Sequence, residues 1–337
     1  MKPLILTGRW MPDFTMNGLA DLALDLALFD FVEGPQPSPD ELAAYLGPRT
    51  ASLDQVPHWS DWGGRQWKQS ANRKHRDLSL AEFCQQYDAV ELWFDMRPSA
   101  QLQLIWLLDY FRSCPETVDR LKLRLVDLEM IGLEKLGRWD PPAVDVTEKE
   151  LATASAAWQA WRSPTPVACF DLLRTDLTAL PLLEGVLVDL LEELPSASTG
   201  LGASEMRMLQ MIARGYSRTS SLFYFRELRH TDVFGEFALG NLLEGLAHAP
   251  MPAATGLDDI LRTTRRDNYK ARDEAYKRSR LSLTEFGKAI VAHEEDFSRH
   301  NPIDRWWGGT HLTNDNLWRW NPALIKPSRR PSERSVP

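Results

Sequence analysis

No stretch of eighteen apolar residues occurs in the chain, which excludes an ordinary membrane-spanning helix. The opening residues MKPLILTGRWMPD hold only a four-residue apolar stretch, too short for the core of a signal peptide. Cysteine is scarce: Cys84, Cys114 and Cys169 are odd in number and far apart. That excludes a disulfide framework and a clustered thiolate metal site, and makes a reducing cytoplasm the expected location. Gly8 stands alone after its apolar run, with no Gly-Lys-Ser/Thr and no Gly-x-Ser-x-Gly anywhere. Dinucleotide binding, P-loop phosphate binding and a hydrolase nucleophile elbow are thereby set aside. The seven histidines show neither His-x-x-x-His nor mixed Cys/His spacing, so no metal and no other cofactor is expected.

What is present is a chain of 337 residues, 43% hydrophobic and 10% aromatic, with thirteen tryptophans. That is enough to build more than one cored unit. The net charge of −8 argues against a protein that coats nucleic acid indiscriminately, but the charge is unevenly spread. Residues 147–260 carry fifteen acidic and eight basic side chains, whereas 261–280, LRTTRRDNYKARDEAYKRSR, carries eight basic and three acidic. The Pro/Ser/Arg-rich end, KPSRRPSERSVP, adds more basic charge and reads as a flexible tail over 326–337.

Up to about residue 140, short apolar runs alternate with helical patterns. Leu4–Leu6, Ala27–Val32, Val90–Phe94 and Leu123–Leu128 read as strands, and Asn17–Asp25, Ser38–Leu46, Leu78–Gln86 and Ser99–Arg112 as helices. Val90–Phe94 is nearly continuous in apolar residues, as in a strand buried on both faces. Ser38, Pro39 and Glu41 give agreeing helix-start signals. The expectation for 1–140 is a Rossmann-like α/β domain, a small, mostly parallel sheet with helices on both faces. The Trp-rich, basic segment 50–77 reads as a long excursion above that sheet. After Asp140-Pro141-Pro142 the texture becomes helical. Thr147 and Glu150 form a capping box, and the region that follows the α/β domain is expected to be all-α, with a helical linker region over 141–200 and a chain α-rich overall.

Over 201–300, three helices, a charged segment, the short apolar Leu281-x-Leu283 and a further helix follow the order of a winged-helix-like module. The basic stretch then falls at the wing. Its Arg262, Arg265, Arg266, Lys270, Arg272, Lys277, Arg278 and Arg280 are the candidate phosphate contacts. The corresponding recognition helix, FGEFALGNLLEGLAH, has no Lys or Arg, and Asn241 is its one base-reading side chain. A protein partner is therefore as reasonable a reading as nucleic acid.

Two further constellations stand out. In a parallel sheet, residues just after each strand share the rim where ligands bind. Arg9, Glu33, Asp95 and Arg97 are such residues. They read either as a site for a small anionic substrate, with a carboxylate as base, or as mutually paired turn charges. The segment DRWWGGTHLTNDNLWRW, within 301–325, combines Asp304, Arg305, Trp306, His311, Trp318 and Trp320. It reads either as a His–Asp pair with a stacking platform, or as an aromatic clasp that buries its tryptophans.

The order of these segments resembles an uncharacterised bacterial family known only as a domain of unknown function. The resemblance is carried by Glu33-Gly34-Pro35, by VELWFD with Gln101-Leu102-Gln103-Leu104 and Leu107-Leu108-Asp109, and by Trp158-x-x-Trp161-Arg162-Ser163-Pro164. It continues through Leu283-Thr284-Glu285-x-Gly287 and Asp304-Arg305-Trp306-x-Gly308-Gly309-x-His311-Leu312 to Trp318-Arg319-Trp320. It implies an α/β domain followed by a winged-helix-like half, and supplies no activity. This chain departs from the family at the rim. Thr7-Gly8-Arg9 stands where relatives carry a His-Gly-Asp-Ser-like turn, and Asp95-Met96-Arg97 where they carry Glu-His-Asp. Thr7 and Met96 do not shuttle protons. The expectation is a non-catalytic binding or regulatory protein contacting nucleic acid or a protein partner. The alternatives are an enzyme acting on a small anion at the rim and a subunit of a larger complex.

Overall fold

The structure is a computed structural model that describes residues 3–8, 20, 22–26, 29–49, 57–61, 75–125, 142–224, 233–320 and 328–329. The chain divides into two compact units. The first comprises Met1–Ser163 and Asp171–Val186, the second Pro164–Phe170 and Leu187–Pro337.

The first unit is built on a five-stranded sheet in the order β2-β1-β3-β4-β5. Its strands are β1 (Leu4–Thr7), β2 (Leu22–Asp25), β3 (Val90–Phe94), β4 (Leu121–Leu125) and β5 (Val144–Asp145). The first four run parallel and β5 is antiparallel at the edge. Every residue of β1 and β3 is buried, as the uninterrupted apolar runs demand of central strands. The chain leaves β1 for β2 on one side and returns to β3 on the other. The carboxyl ends of β1 and β3 therefore flank the point where the winding reverses.

The helices of this unit are α1 (Pro39–Leu46), α2 (Leu80–Cys84), α3 (Pro98–Phe111), α4 (Pro115–Val118) and α5 (Glu148–Trp161). Capping boxes at Ser38, Ser79 and Thr147 start α1, α2 and α5. α3 has Pro98 in its first turn and is buried over most of its circumference. It packs against α5 through an aromatic cluster in which Phe31 lies 5.0 Å from both Trp106 and Trp158. Trp161 Nε1 donates to the Phe31 carbonyl at 2.7 Å, so the indole nitrogen is satisfied inside the core. Removing each such ring from water contributes roughly 1.5–3 kcal/mol.

Two further helices, α6 (Val167–Leu172) and α7 (Leu183–Glu192), lie where the chain passes between the units. The second unit continues with α8 (Ala203–Ala213), α9 (Thr219–Tyr224), α10 (Glu236–His248), β6 (Ala254–Thr255), α11 (Tyr269–Arg278), β7 (Ser282–Leu283), α12 (Glu285–Val291) and α13 (Phe297–His300). β6 and β7 pair antiparallel. It closes with β8 (Asp304–Trp307) and β9 (Thr310–Thr313), a hairpin turning at Gly308-Gly309, and with β10 (Trp318–Arg319) paired to β11 (Ser328–Arg329).

Several expectations are corrected. Leu22–Asp25 is a strand, not the end of a helix, and no strand covers the described residues 29–32. A four-residue segment lying against β1 gains ladder hydrogen bonds that outweigh its helical spacing, while Phe29 and Phe31 go to the α3 cluster instead. The second half is not all-α, because three two-stranded sheets lie within it, and the fold is mixed α/β rather than α-rich. The first compact unit runs on to Ser163, because α5 shares its core with α3. The charged stretch between β6 and β7 is no simple hairpin. It holds a 3-10 turn at Asp259–Arg262 and the ten-residue α11, which Asn268 caps. Most of the 50–77 excursion, and all of the tail but 328–329, lie outside the described residues.

Candidate functional site

At the rim of the first unit, Asp95 follows directly on β3 with its side chain 2% exposed. Its carboxylate accepts from Arg97 Nε at 2.8 Å and from the Arg97 amide at 3.1 Å, with Arg97 Nη2 at 2.7 Å. Gln101, one turn into α3, donates to the Asp95 carbonyl at 2.7 Å. The turn is thus closed on itself by its own charges. Met96 between them is half exposed and Glu33 is exposed. Arg9 lies outside the described residues. On the inner side a methyl at Gly8 would meet Gln103 Oε1, so the glutamine side chain would have to shift to admit one.

The eight cations of 261–280 are largely engaged. Arg262 pairs with Asp259, Arg265 with Asp267, Lys277 with Asp273 and Arg278 with Asp258. Arg280 donates to the carbonyls of Lys277, Arg278 and Ser279. Arg272 is buried at 4% exposure and holds Glu244 of α10, the Thr264 carbonyl and the Tyr276 hydroxyl. Burial and the neighbouring Glu244 both push the Tyr276 hydroxyl up, so it stays protonated and donates to Glu244. A methyl at Gly240 would strike that hydroxyl, which explains a glycine in the middle of α10. Arg266 and Lys270 are exposed, with no ion pair among the described residues. Beside them Phe237 and Tyr269, 60% and 58% exposed, pack on each other at 4.8 Å.

The C-terminal segment divides by strand face. Trp307 is buried and donates to the Leu190 carbonyl at 2.6 Å, and Trp320 is buried beside Phe170. Trp306 instead points to solvent at 37% exposure and stacks on its cross-strand neighbour His311, 4.5 Å away and 9° from parallel. His311 Nε2 lies 2.7 Å from Asp304 Oδ1. The clasp reading thus describes Trp307 and Trp320 but not Trp306, because successive strand residues face opposite ways. Trp318 is half-buried, and Arg305 reaches Glu205 at 2.8 Å.

The sequence reading passed over the turn Pro195–Gly202. Arg319, 7% exposed, donates to the Ser196 carbonyl, to Asp296 and to Ser298 Oγ, each at 2.7 Å. Gly200 has φ +70°, and a methyl there would strike Asp296. Ser196 Oγ accepts from the Thr199 amide at 3.0 Å and lies 2.8 Å from Thr199 Oγ1. Ser198 Oγ lies 3.2 Å from Nδ1 of His293, which caps α12 in the left-handed region at φ 61°. Beneath the turn Glu193 accepts from Ser204 through its hydroxyl at 2.6 Å and its amide at 3.0 Å. Burial outweighs those bonds and lifts its carboxyl to about 7. A cleft of about 280 Å³ opens here, walled by the turn, the start of α8, His293 and Trp320. The readable signal was Ser196-Ala-Ser-Thr-Gly-Leu-Gly, hydroxyls and glycines just before a helix start.

Among the described residues no group of three His, Cys, Asp or Glu side chains could hold a metal ion, and no helix is long and apolar enough to cross a membrane. Compared with protein-family models and with curated proteins, the chain matches none.

Proposed function

We propose that the protein is a non-catalytic binding protein whose second unit docks a protein partner through the face formed by α9, α10 and α11. The order α8, α9, α10, β6, α11, β7, with β6 antiparallel to β7, supports reading this part as a winged-helix-like module. In that reading α10 is the recognition helix and α11 occupies the wing.

One observation carries the choice of partner. Phe237 and Tyr269, both more than half exposed, form an aromatic pair at the start of α10. Around them most cations are already held by carboxylates. Exposed aromatics with compensated charge suit a protein interface, where such residues anchor the buried centre. Nucleic acid would need uncompensated cations in number. The partner that fits presents an apolar side chain to the aromatic pair and a carboxylate to Lys270 or Arg266.

Affinity capture from the native cell, with the wild-type chain and the Phe237→Ala/Tyr269→Ala variant in parallel, tests this. A partner retained by the wild type and lost by the variant is expected. Binding of duplex or single-stranded nucleic acid at low salt, weakened by Arg266→Ala and Lys270→Ala but not by the aromatic variant, would replace the protein partner with nucleic acid. Sedimentation of the purified chain separates a second copy from a foreign partner.

A further inference from the structure

The outer face of the β8–β9 hairpin shares no residue with the docking face of α9, α10 and α11. Cross-strand pairing sets Asp304 opposite Thr313 and Trp306 opposite His311, and these four side chains share one face of the hairpin. Alternation sends Arg305, Trp307, Thr310 and Leu312 to the other face. That inner face is anchored. Arg305 reaches Glu205, Trp307 donates to the Leu190 carbonyl, and Thr310 and Leu312 are fully buried. Side chains carried on so firmly pinned a hairpin are in place before any ligand arrives.

On the outer face three side chains hold one another. The imidazole of His311 covers one face of Trp306, with the rings 4.5 Å apart and 9° from parallel. A carboxylate only accepts, so His311 Nε2 donates to Asp304 Oδ1 at 2.7 Å. The covered face of Trp306 is turned toward β9, so its other face looks away from β9. Among the described residues no strand pairs with β8 on that side, and the indole stays 37% exposed. Asp304 is largely exposed, and its Oδ2 has no hydrogen bond or ion pair among the described residues.

A fixed indole face with a carboxylate beside it suits one group above others. A guanidinium is planar, weakly hydrated and positive, carries only donors, and stacks on aromatic faces while donating to a carboxylate. An ammonium has the charge without the plane, and Asp304 repels the phosphates of nucleic acid. The platform is also open, whereas sites for small molecules are concave and enclose most of their ligand. The guanidinium therefore belongs to a larger body that makes further contacts around it. We infer that this face docks an arginine side chain of a protein partner, stacked on the open face of Trp306 and donating to Asp304 Oδ2. His311 acts as a positioning residue that fixes the indole from behind.

Capped glycine pentapeptides with a central arginine, lysine or citrulline test the inference on the full-length protein. The readout is the indole N–H resonance of Trp306, assigned by its loss in Trp306→Phe. The arginine peptide is expected to saturate at millimolar concentration and to bind at least about threefold more tightly than the lysine or citrulline peptides. Asp304→Asn should cost the arginine peptide about threefold and leave the citrulline peptide within about twofold, and Trp306→Ala should abolish binding of all three. Circular dichroism confirms that the variants fold. Citrulline or lysine binding as tightly as arginine, an arginine affinity unmoved by Asp304→Asn, or an unshifted Trp306 resonance would overturn the inference. Methylguanidinium binding at micromolar concentration would overturn the protein source in favour of a small molecule. Self-association of the purified chain that Trp306→Ala abolishes would overturn the foreign partner in favour of a second copy.

Discussion

The rim of the first unit and the turn of the second both set arginine against aspartate beside a break in regular structure, and they use those charges in opposite ways. At the rim, Asp95 and Arg97 are two residues apart and satisfy one another within a single turn. In the second unit, Arg319 reaches Asp296 across 23 positions and the Ser196 carbonyl across 123. A local pair closes a turn and leaves little charge for a ligand. A long-range pair ties β10 to the turn and neutralises the arginine there. Pairing distance along the chain, more than charge content, separates a pair that closes its own turn from one that holds distant segments together.

The largest test of that contrast removes the long-range partner. Asp296→Ala leaves Arg319 buried without a counter-ion and is expected to cost roughly 3–5 kcal/mol, measured by urea unfolding. A loss no larger than that of an exposed pair would end the contrast.

Next comes pH. The Glu193 carboxyl, lifted by burial from 4.5 to about 7, holds its proton more tightly in the folded chain than in the unfolded one. The stability this confers is complete below about pH 4.5 and is lost as pH rises through 7, a change of about 3 kcal/mol at most. Glu193→Gln should flatten the fall of Tm between pH 5 and pH 8, keeping an acceptor for the Ser204 hydroxyl. An unchanged slope would assign the titration elsewhere.

At the rim, Asp95→Asn loses charge but keeps an acceptor, and roughly 1–2 kcal/mol is expected from unfolding curves. Smallest of all, Lys277→Ala breaks an exposed pair with Asp273 and should move stability by no more than about 0.5 kcal/mol.

How much of this was legible in the sequence follows the same distinction. β1, β3, α1 and α3 were readable because their signals are local: continuous apolar runs, Ser38 with Glu41, Pro98 at a helix start. β2 was misread because four residues carry too little pattern, and their partner strand decides. α11 was read as a wing because its exposed, charged surface gives no apolar stripe, and long-range contacts such as the buried Arg272–Glu244 pair and the Phe223–Tyr276 packing fix its place. At the candidate sites, the Asp95–Arg97 pair was foreseeable and was weighed. The cleft was not, since its walls come from residues as far apart as Glu192, His293 and Trp320. The hydroxyl-rich turn gave a hint, but nothing in a linear reading places His293 beside Ser198. The exposure of Trp306 beside a buried Trp307 was readable from strand alternation once the Gly308-Gly309 hairpin was assumed.

The docking claim is tested most directly by the binding isotherm of the captured partner with the wild-type chain and with Phe237→Ala/Tyr269→Ala. The two exposed rings are predicted to supply at least about 2 kcal/mol of the binding free energy, a weakening of about thirtyfold or more in the variant. Equal affinity for both chains, with the variant folded, would contradict the assignment of α10 and α11 as the binding face.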